Sequence, residues 1–234
     1  MNSLILQLRN LYAYYGKAQV LHGISLEVEK EDFLVILGRN GVGKTTLLKA
    51  IMNIEVLKKG EIIYKSINIT NLKTYQIAKT GIFYIPDDTG LFQGMTVLEN
   101  LMLTAGKRDI DLQPLYDIYP KLRELLNRKA DQLSGGERKI TTVLRSLLTN
   151  ADLLLIDELT EGVAPIMVTR LYEMLKELRN RGKTIVAVEP GTKLNIVLNY
   201  ATKIAVMDMG KIVYINDVDQ AKNEKDKITR YIFI

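Results

Sequence analysis

The amino-acid sequence predicts an α/β fold, a mostly parallel sheet covered by helices on both faces. Three observations carry that expectation. The second half of the chain alternates strand and helix patterns, which favours parallel pairing through crossover helices. Phe33 to Leu37 and Leu153 to Ile156 are continuously apolar, as in strands buried on both faces. Finally, Gly38-Arg39-Asn40-Gly41-Val42-Gly43-Lys44-Thr45 joins the first of these strands to a segment with helical residues.

The elements follow in order. Ile5 to Leu8 and Ile24 to Val28 alternate apolar and polar residues and read as strands ahead of Phe33 to Leu37. Lys44 to Met52 has no Gly or Pro and reads as a helix. Lys59-Gly60 reads as a turn into a strand over Glu61 to Tyr64. Turn residues dominate Asp87 to Gly94, and helical pieces follow at Val97 to Thr104 and Leu115 to Leu126, so residues 87–133 read as a helical insertion. A helix from about Glu137 to Leu148 precedes strand Leu153 to Ile156, helix Val168 to Asn180 and strand Thr184 to Val188. Lys203 to Ile215 reads as a hairpin turning at Met209-Gly210, and the polar tail Asp217 to Tyr231 as helix. There is no internal repeat or low-complexity linker.

Composition narrows the function classes. The chain has 234 residues, 47% of them hydrophobic, enough for a sizeable core. It contains no cysteine, which excludes disulfide frameworks and thiolate metal sites and fits a reducing compartment. Its apolar runs fall far short of the roughly 18 residues needed to span a bilayer. Met1-Asn2-Ser3-Leu4-Ile5 lacks the basic and apolar character of a secretory signal. The net charge of +5 comes from interspersed residues and reads as a solvated surface rather than a partner-specific patch.

The motifs carry the chemistry. The glycine-rich loop has the full G-x-x-x-x-G-K-[ST] pattern between strand and helix, where glycines let successive N–H groups point at phosphate oxygens. Lys44 supplies a point charge for the β- and γ-phosphates, and the Thr45 hydroxyl is a suitable Mg²⁺ ligand. Asp157, at the end of its strand, can hold a metal-bound water, and Glu158 is placed to take a proton from an attacking water. In Leu133-Ser134-Gly135-Gly136-Glu137, Ser134 is a helix N-cap that presents backbone N–H groups to an anion.

In this order, the phosphate loop, the Leu-Ser-Gly-Gly-Glu run and the acidic strand end resemble the nucleotide-binding subunits of ABC transporters over most of the chain. Within that family the chain looks most like the ATPase subunits of branched-chain amino acid importers, and next most like those of urea and amide importers. Thr160-Glu161-Gly162-Val163-Ala164-Pro165 and Val188-Glu189 carry the subgroup likeness, and Met95-Thr96-Val97-Leu98-Glu99-Asn100-Leu101 resembles a run found early in the family's helical subdomain. The resemblance implies a P-loop NTPase fold of ABC-ATPase type: a core of residues 1–86 and 149–234 with an antiparallel β edge, and a helical, signature-bearing subdomain of residues 87–148 that docks on a permease. It also implies two subunits closing over two ATP molecules with Mg²⁺, at the cytoplasmic face of the cell membrane. A transmembrane permease, a second ATPase subunit and, indirectly, a substrate-binding protein are the implied partners.

Residue by residue, the likeness places the nucleotide at Gly38, Asn40, Gly41, Gly43, Lys44, Thr45 and Thr46, with Lys44 and Glu158 catalytic and the metal at Thr45 and Asp157. Tyr15 matches the aromatic that stacks on adenine, though Leu11-Tyr12-Ala13-Tyr14-Tyr15 also reads as an edge strand. Ser134, Gly135 and Gly136 match donors to the opposite subunit's γ-phosphate. Asp87 falls where the family has its Gln loop; it reads equally as a further Mg²⁺ ligand and as a turn acid in Pro-Asp-Asp-Thr-Gly.

The larger departure is Pro190, where most relatives have His and this subgroup often has Gln. Proline has neither side-chain donor nor N–H, and losing one transition-state donor costs about 10²–10³ in rate, unless a neighbour such as Lys193 substitutes. A Glu189 carboxylate near the phosphate would repel it. Leu159 replaces the proline that usually follows the acidic pair, and His22, the single histidine, reads as structural.

ATP hydrolysis coupled to import is the expected function, with a weakly hydrolysing partner subunit as an alternative. The intact signature beside a compromised own site points to a heterodimer whose faster site is the one this signature completes. An ABC ATPase acting on nucleic acid is disfavoured by the short gap between phosphate loop and signature and by the absence of cysteine.

Overall fold

The computed structural model describes residues 4–88, 90–106 and 109–233. Met1 to Ser3, on which the secretory-signal reading partly rests, and Thr89, in the Asp87 to Gly94 turn region, lie outside the described residues. In chain order the strands are β1 (Leu4–Tyr15), β2 (Ala18–Glu29), β3 (Phe33–Gly38), β4 (Leu57–Tyr64), β5 (Ile67–Asn68), β6 (Ile82–Ile85), β7 (Leu153–Asp157), β8 (Thr184–Pro190), β9 (Lys203–Asp208) and β10 (Lys211–Asp217). The helices are α1 (Lys44–Met52), α2 (Thr74–Lys79), α3 (Val97–Ala105), α4 (Gln113–Ile118), α5 (Leu122–Leu125), α6 (Gly135–Arg145), α7 (Pro165–Asn180), α8 (Leu194–Val197), α9 (Val218–Asn223) and α10 (Lys225–Phe233).

The larger sheet has the order β10-β9-β3-β8-β7-β6. Its strands pair in parallel except at the β9–β10 edge. The continuous apolar runs arise because both faces are covered. Phe33, Val35 and Leu37 face one core, with α3 to α8 and α10, while Leu34 and Ile36 face a second. β7 and β8 divide in the same way: Leu154, Ile156, Ile185 and Ala187 on one side, Leu153, Leu155, Val186 and Val188 on the other. In the second core, Leu47, Leu48 and Ile51 of α1 pack with Leu6, Leu8 and Ile62 of the antiparallel sheet β2-β1-β4-β5. The helix carrying the phosphate loop is thus clamped between the two sheets.

The sequence reading departs from the structure where pairing is irregular. β1 and β2 run well beyond the alternating segments because their ladder continues through register shifts, one of them between Leu8 and Leu11. Asn10 has φ 46° at that bulge, so side-chain alternation slips and the period-2 pattern ends early. Lys59-Gly60 is not a turn but the middle of β4. Gly60 takes φ 104° where a Cβ would lie 2.3 Å from the Asn10 carbonyl oxygen, so close backbone approach explains the glycine.

The expected helix over 115–126 is divided into α4 and α5. Tyr119 sits at φ −139°, ψ 83°, because Pro120 pushes the residue before it out of the helical region. The short β6 and α2 escaped the pattern reading, and the tail holds two helices after β10. Met209 and Gly210 do form the hairpin turn, both at positive φ as a two-residue turn between twisted strands requires. Between β6 and β7 the chain carries α3 to α6. Val97, Leu101, Leu122, Ile140 and Leu144 of this stretch share one continuous core with the sheet.

Candidate functional site

The glycine-rich loop leaves β3 and bends at Gly41 (φ 84°) and Gly43 (φ 109°), angles that suit glycine without strain. Gly38 is required by space: a Cβ there would stand 2.5 Å from the Met207 carbonyl oxygen on β9. Gly43 N-caps α1, its carbonyl accepting from the Leu47 N–H at 2.9 Å. The first-turn N–H groups of α1, with the positive end of the helix dipole, therefore face the loop.

Lys44 is buried, at 3% exposure. Its Nζ donates to the carbonyl oxygens of Gly38 (3.2 Å) and Arg39 (3.1 Å) and pairs with Glu158 Oε1 at 3.2 Å. The Thr45 hydroxyl donates to Asp157 Oδ1 at 3.0 Å, and the Tyr84 hydroxyl to Oδ2 at 3.1 Å. Burial raises the Asp157 pKa, the two hydroxyl donors lower it in part, and the charges of Asp87 and Glu158 raise it further. A carboxylate so placed favours a cation beside it. Among the described residues no group of three or more His, Cys, Asp or Glu side chains could hold a metal by itself. Thr45 and Asp157 nonetheless fit Mg²⁺, which protein sites commonly hold by one or two carboxylates plus substrate phosphates.

Glu158 sits in the left-handed region at φ 43°, a conformation that costs on the order of 1–3 kcal/mol for a non-glycine residue. Its surroundings hold it there through every polar group. The N–H donates to the Val188 carbonyl (3.0 Å), the carbonyl accepts from Lys139 Nζ (3.2 Å) and the Glu161 N–H (3.3 Å), and the carboxylate pairs with Lys44. A hydrogen bond with Glu158, and that group's charge, raise the pKa of the exposed Glu161.

A cavity of about 450 Å³ runs from Tyr15 and Val20 past Asn40, Gly41 and Gly43 to Lys44, Thr45, Thr46 and Glu158. Of the three clustered tyrosines, Tyr15 is the one that lines it, while the ring of Tyr12 covers Gly23. Asp87 keeps both of its readings. Its Oδ1 accepts the Asp88 N–H at 2.9 Å, as in a turn, and its charge reaches Asp157. Ser134 caps α6 in a reciprocal box, Oγ accepting from the Glu137 N–H (3.2 Å) and Glu137 Oε2 from the Ser134 N–H (3.0 Å). Gly136 is pressed against Met167, which a Cβ would meet at 3.0 Å, and none of Ser134, Gly135 and Gly136 lines the phosphate-loop cavity.

Pro190 pairs in register with Gly38 and, with Gly38, Arg39 and Asn40, lines a cavity of about 610 Å³ against the C-terminal Ile232 and Phe233. Glu189 takes a different course from a carboxylate at the phosphate. It is buried, and its Oε2 accepts from the Thr160 hydroxyl at 2.8 Å. Burial pushes its pKa up to about 7, against the lowering effects of the Thr160 bond and nearby Lys193, so its proton is retained well above the usual carboxylate range. Leu159 packs in the core, and the backbone N–H of His22, on β2, donates to the carbonyl of Gly210 in the turn between β9 and β10, in keeping with a structural position.

Glu189 ties the stability of the fold to pH. Between its unfolded pKa near 4.5 and its folded value of about 7 the folded chain binds more protons, so this group's contribution to stability falls as pH rises through that window. The full difference corresponds to about 3 kcal/mol. Glu189→Gln keeps an acceptor for Thr160 and removes the titration. It is expected to melt close to wild type at pH 5 and above wild type at pH 8. Parallel pH profiles of the two proteins would count against this reading of Glu189.

The sequence reading did not single out Tyr84 or Lys139. Tyr84 was detectable as a polar tip in the apolar Ile82-Phe83-Tyr84-Ile85 run. Lys139 was detectable as a charge on the apolar stripe of α6, between Gly136 and Val143.

Residues 21–161 match the ABC transporter family. The high-affinity branched-chain amino acid transport ATP-binding protein BraG of Pseudomonas aeruginosa is 33% identical, covering 86% of this chain and 87% of its own. A probable branched-chain amino acid transport ATP-binding protein, LivG of Methanocaldococcus jannaschii, is 31% identical over 89% and 88% of the two chains. The arginine transport ATP-binding protein ArtP of Haemophilus influenzae is also 31% identical, over 94% and 95%. Among solved structures, the ADP conformation of an ATP-binding cassette of an ABC transporter aligns with TM-score 0.84 and 30% identity over 98% of each chain. Sequence match, fold and phosphate-loop geometry agree that this chain belongs to the ABC transporter family, as one of its ATP-binding subunits.

Proposed function

We propose that the chain binds and hydrolyses ATP to energise an ABC importer of branched-chain or other small amino acids. One observation carries the catalytic part: Lys44, Thr45 and Glu158 line a single loop cavity, with Lys44 paired to Glu158 at 3.2 Å and Thr45 bonded at 3.0 Å to Asp157 behind it. The loop N–H groups and Lys44 bind the phosphates, Tyr15 covers the adenine, and Glu158 orients and deprotonates the attacking water. Thr45 and Asp157 would hold Mg²⁺, which supplies charge neutralisation at the phosphates. The names of the relatives support the substrate class.

Residues 87–148 act in this reading as a helical subdomain that meets the permease; exposed Phe92 and Leu103 give that stretch apolar contact surface. The chain works at the cytoplasmic membrane face, and among the described residues no helix is long and apolar enough to cross a membrane. Pro190, level with Gly38 and without a donor, supports slow hydrolysis at this chain's own site. The well-capped signature would then complete a faster site on a second, different ATPase subunit.

The test is co-expression with the permease and binding-protein genes that neighbour this one, followed by ATPase and uptake assays in proteoliposomes. The expected result is co-purification and ATP-dependent uptake of a branched-chain amino acid. ATP turnover stimulated by DNA, without permease, would overturn the reading.

A further inference from the structure

Lys139 is a buried cation with an unusual set of partners. It is 7% exposed, on the second turn of α6, the helix that Ser134 caps. Its Nζ donates to the main-chain oxygens of Asp87 (2.6 Å) and Glu158 (3.2 Å), from two segments far apart in sequence. Removing an ammonium from water is costly unless it is paired or fully hydrogen-bonded, so the buried Lys139 depends on these two anchors. Burial lowers its pKa, and the charges of Asp87, Glu189, Glu161 and Asp157 raise it.

Each anchor lies next to the chemistry. The Glu158 oxygen belongs to the residue held at φ 43°, so the Lys139 bond helps fix the backbone that aims the Glu158 carboxylate. The Asp87 oxygen belongs to the loop whose charge reaches Asp157. One further contact ties that loop to α6: Arg145 donates to the Gly90 carbonyl at 2.8 Å and to the Thr104 hydroxyl at 2.7 Å. The loop after β6 is thus strapped to α6 at two points, whereas Lys139 also grips the strand-end turn that follows β7.

We propose that Lys139 is a positioning residue that links the signature helix to the backbone of Glu158 and to the Asp87 loop, so that α6 and the hydrolytic site move together. The proposal rests on the nucleotide-site reading above. With Lys139 in place, a nucleotide that reorganises the loop and Glu158 is felt along α6; without it, the helix and the site respond separately.

The test compares wild type, Lys139→Met and Lys139→Arg as full chains by amide hydrogen exchange, with and without Mg²⁺ and a non-hydrolysable ATP analogue. Thermal melts establish that each variant is folded. In wild type the analogue is expected to slow exchange both in the phosphate loop and in residues 133–140. In Lys139→Met the loop response persists, the 133–140 response is lost, and single-turnover hydrolysis falls about 10–100-fold, the scale of a small misplacement of a catalytic group. Analogue affinity stays within about threefold, and Lys139→Arg, which retains a buried donor, recovers at least part of the 133–140 response. If Lys139→Met keeps both responses and hydrolyses at the wild-type rate, the linkage is wrong. If Lys139→Met does not fold, Lys139→Gln, which keeps a polar group but loses the ammonium and its reach, takes its place: loss of the 133–140 response with the loop response intact supports the link, and both responses kept at the wild-type hydrolysis rate overturn it. A wild-type chain with no loop protection overturns the nucleotide-site reading, and this proposal with it; loop protection without a 133–140 response overturns this proposal alone.

Discussion

Glu158→Gln is expected to bind ATP at least as tightly as wild type and to turn it over about 10²–10⁴ times more slowly. The amide preserves the shape and the backbone hold from Val188 and Lys139, so the site is not rearranged. What is lost is the proton acceptor. The substitution also releases Lys44 from an ion pair of 3.2 Å, leaving its ammonium with the Gly38 and Arg39 carbonyls. A cation less committed to a carboxylate is freer to meet phosphate, which is why affinity should hold or rise. Nucleotide binding measured by fluorescence and hydrolysis measured in the assembled transporter separate the two effects. Hydrolysis near the wild-type rate would remove Glu158 from the base role. A parallel loss of binding would mean that the residue is structural.

How much of this was legible in the sequence depends on what fixes each residue. The phosphate loop was legible because its glycines answer to local demands: positive φ at Gly41 and Gly43, and the nearby Met207 carbonyl at Gly38. β3 and β7 were legible because burial on both faces leaves a continuous apolar run. The bulged ends of β1 and β2 were not, since a slipped register destroys the period on which such reading relies. Choosing Tyr15 from its neighbours required knowing which side chain the strand end delivers to the cavity.

Glu189 and Lys139 show a second limit. A charge in an apolar segment is visible in sequence, but its partners are not: Thr160 in one case, and the main-chain oxygens of Asp87 and Glu158 in the other. Sequence proximity suggested that Glu189 would oppose the phosphate. Its burial against Thr160, with the proton retained up to about 7, assigns its charge to a different environment. Residues 87–133 read as a helical insertion from their turn residues and helical pieces, while the core that this stretch shares with the sheet shows only in the packing.

Lys44→Met should have the second large effect, on binding first and turnover after it. Methionine keeps the buried stem but removes the ammonium, and a hydrogen bond to a charged group is worth about 1.5–3 kcal/mol, or roughly 10–100-fold in affinity. ATP should therefore bind about 10–100 times more weakly, while the loop itself, set by its glycines and by α1 between the two sheets, keeps its shape. Without nucleotide two effects oppose each other. Losing a buried ammonium removes a desolvation cost, but it strands the Glu158 carboxylate and two loop carbonyls that faced it. The stranded carboxylate is the larger liability because Glu158 already holds a strained backbone angle, so Lys44→Met should be destabilised and Glu158→Gln should relieve part of that loss in the double variant. A coupling free energy near zero between the two positions in denaturant melts, or ATP affinity of Lys44→Met within twofold of wild type, would show that the pair does not organise the site. Both outcomes as expected would make the Lys44–Glu158 contact a latch: each partner restrains the other until phosphate draws the lysine away and leaves the glutamate free to work on water.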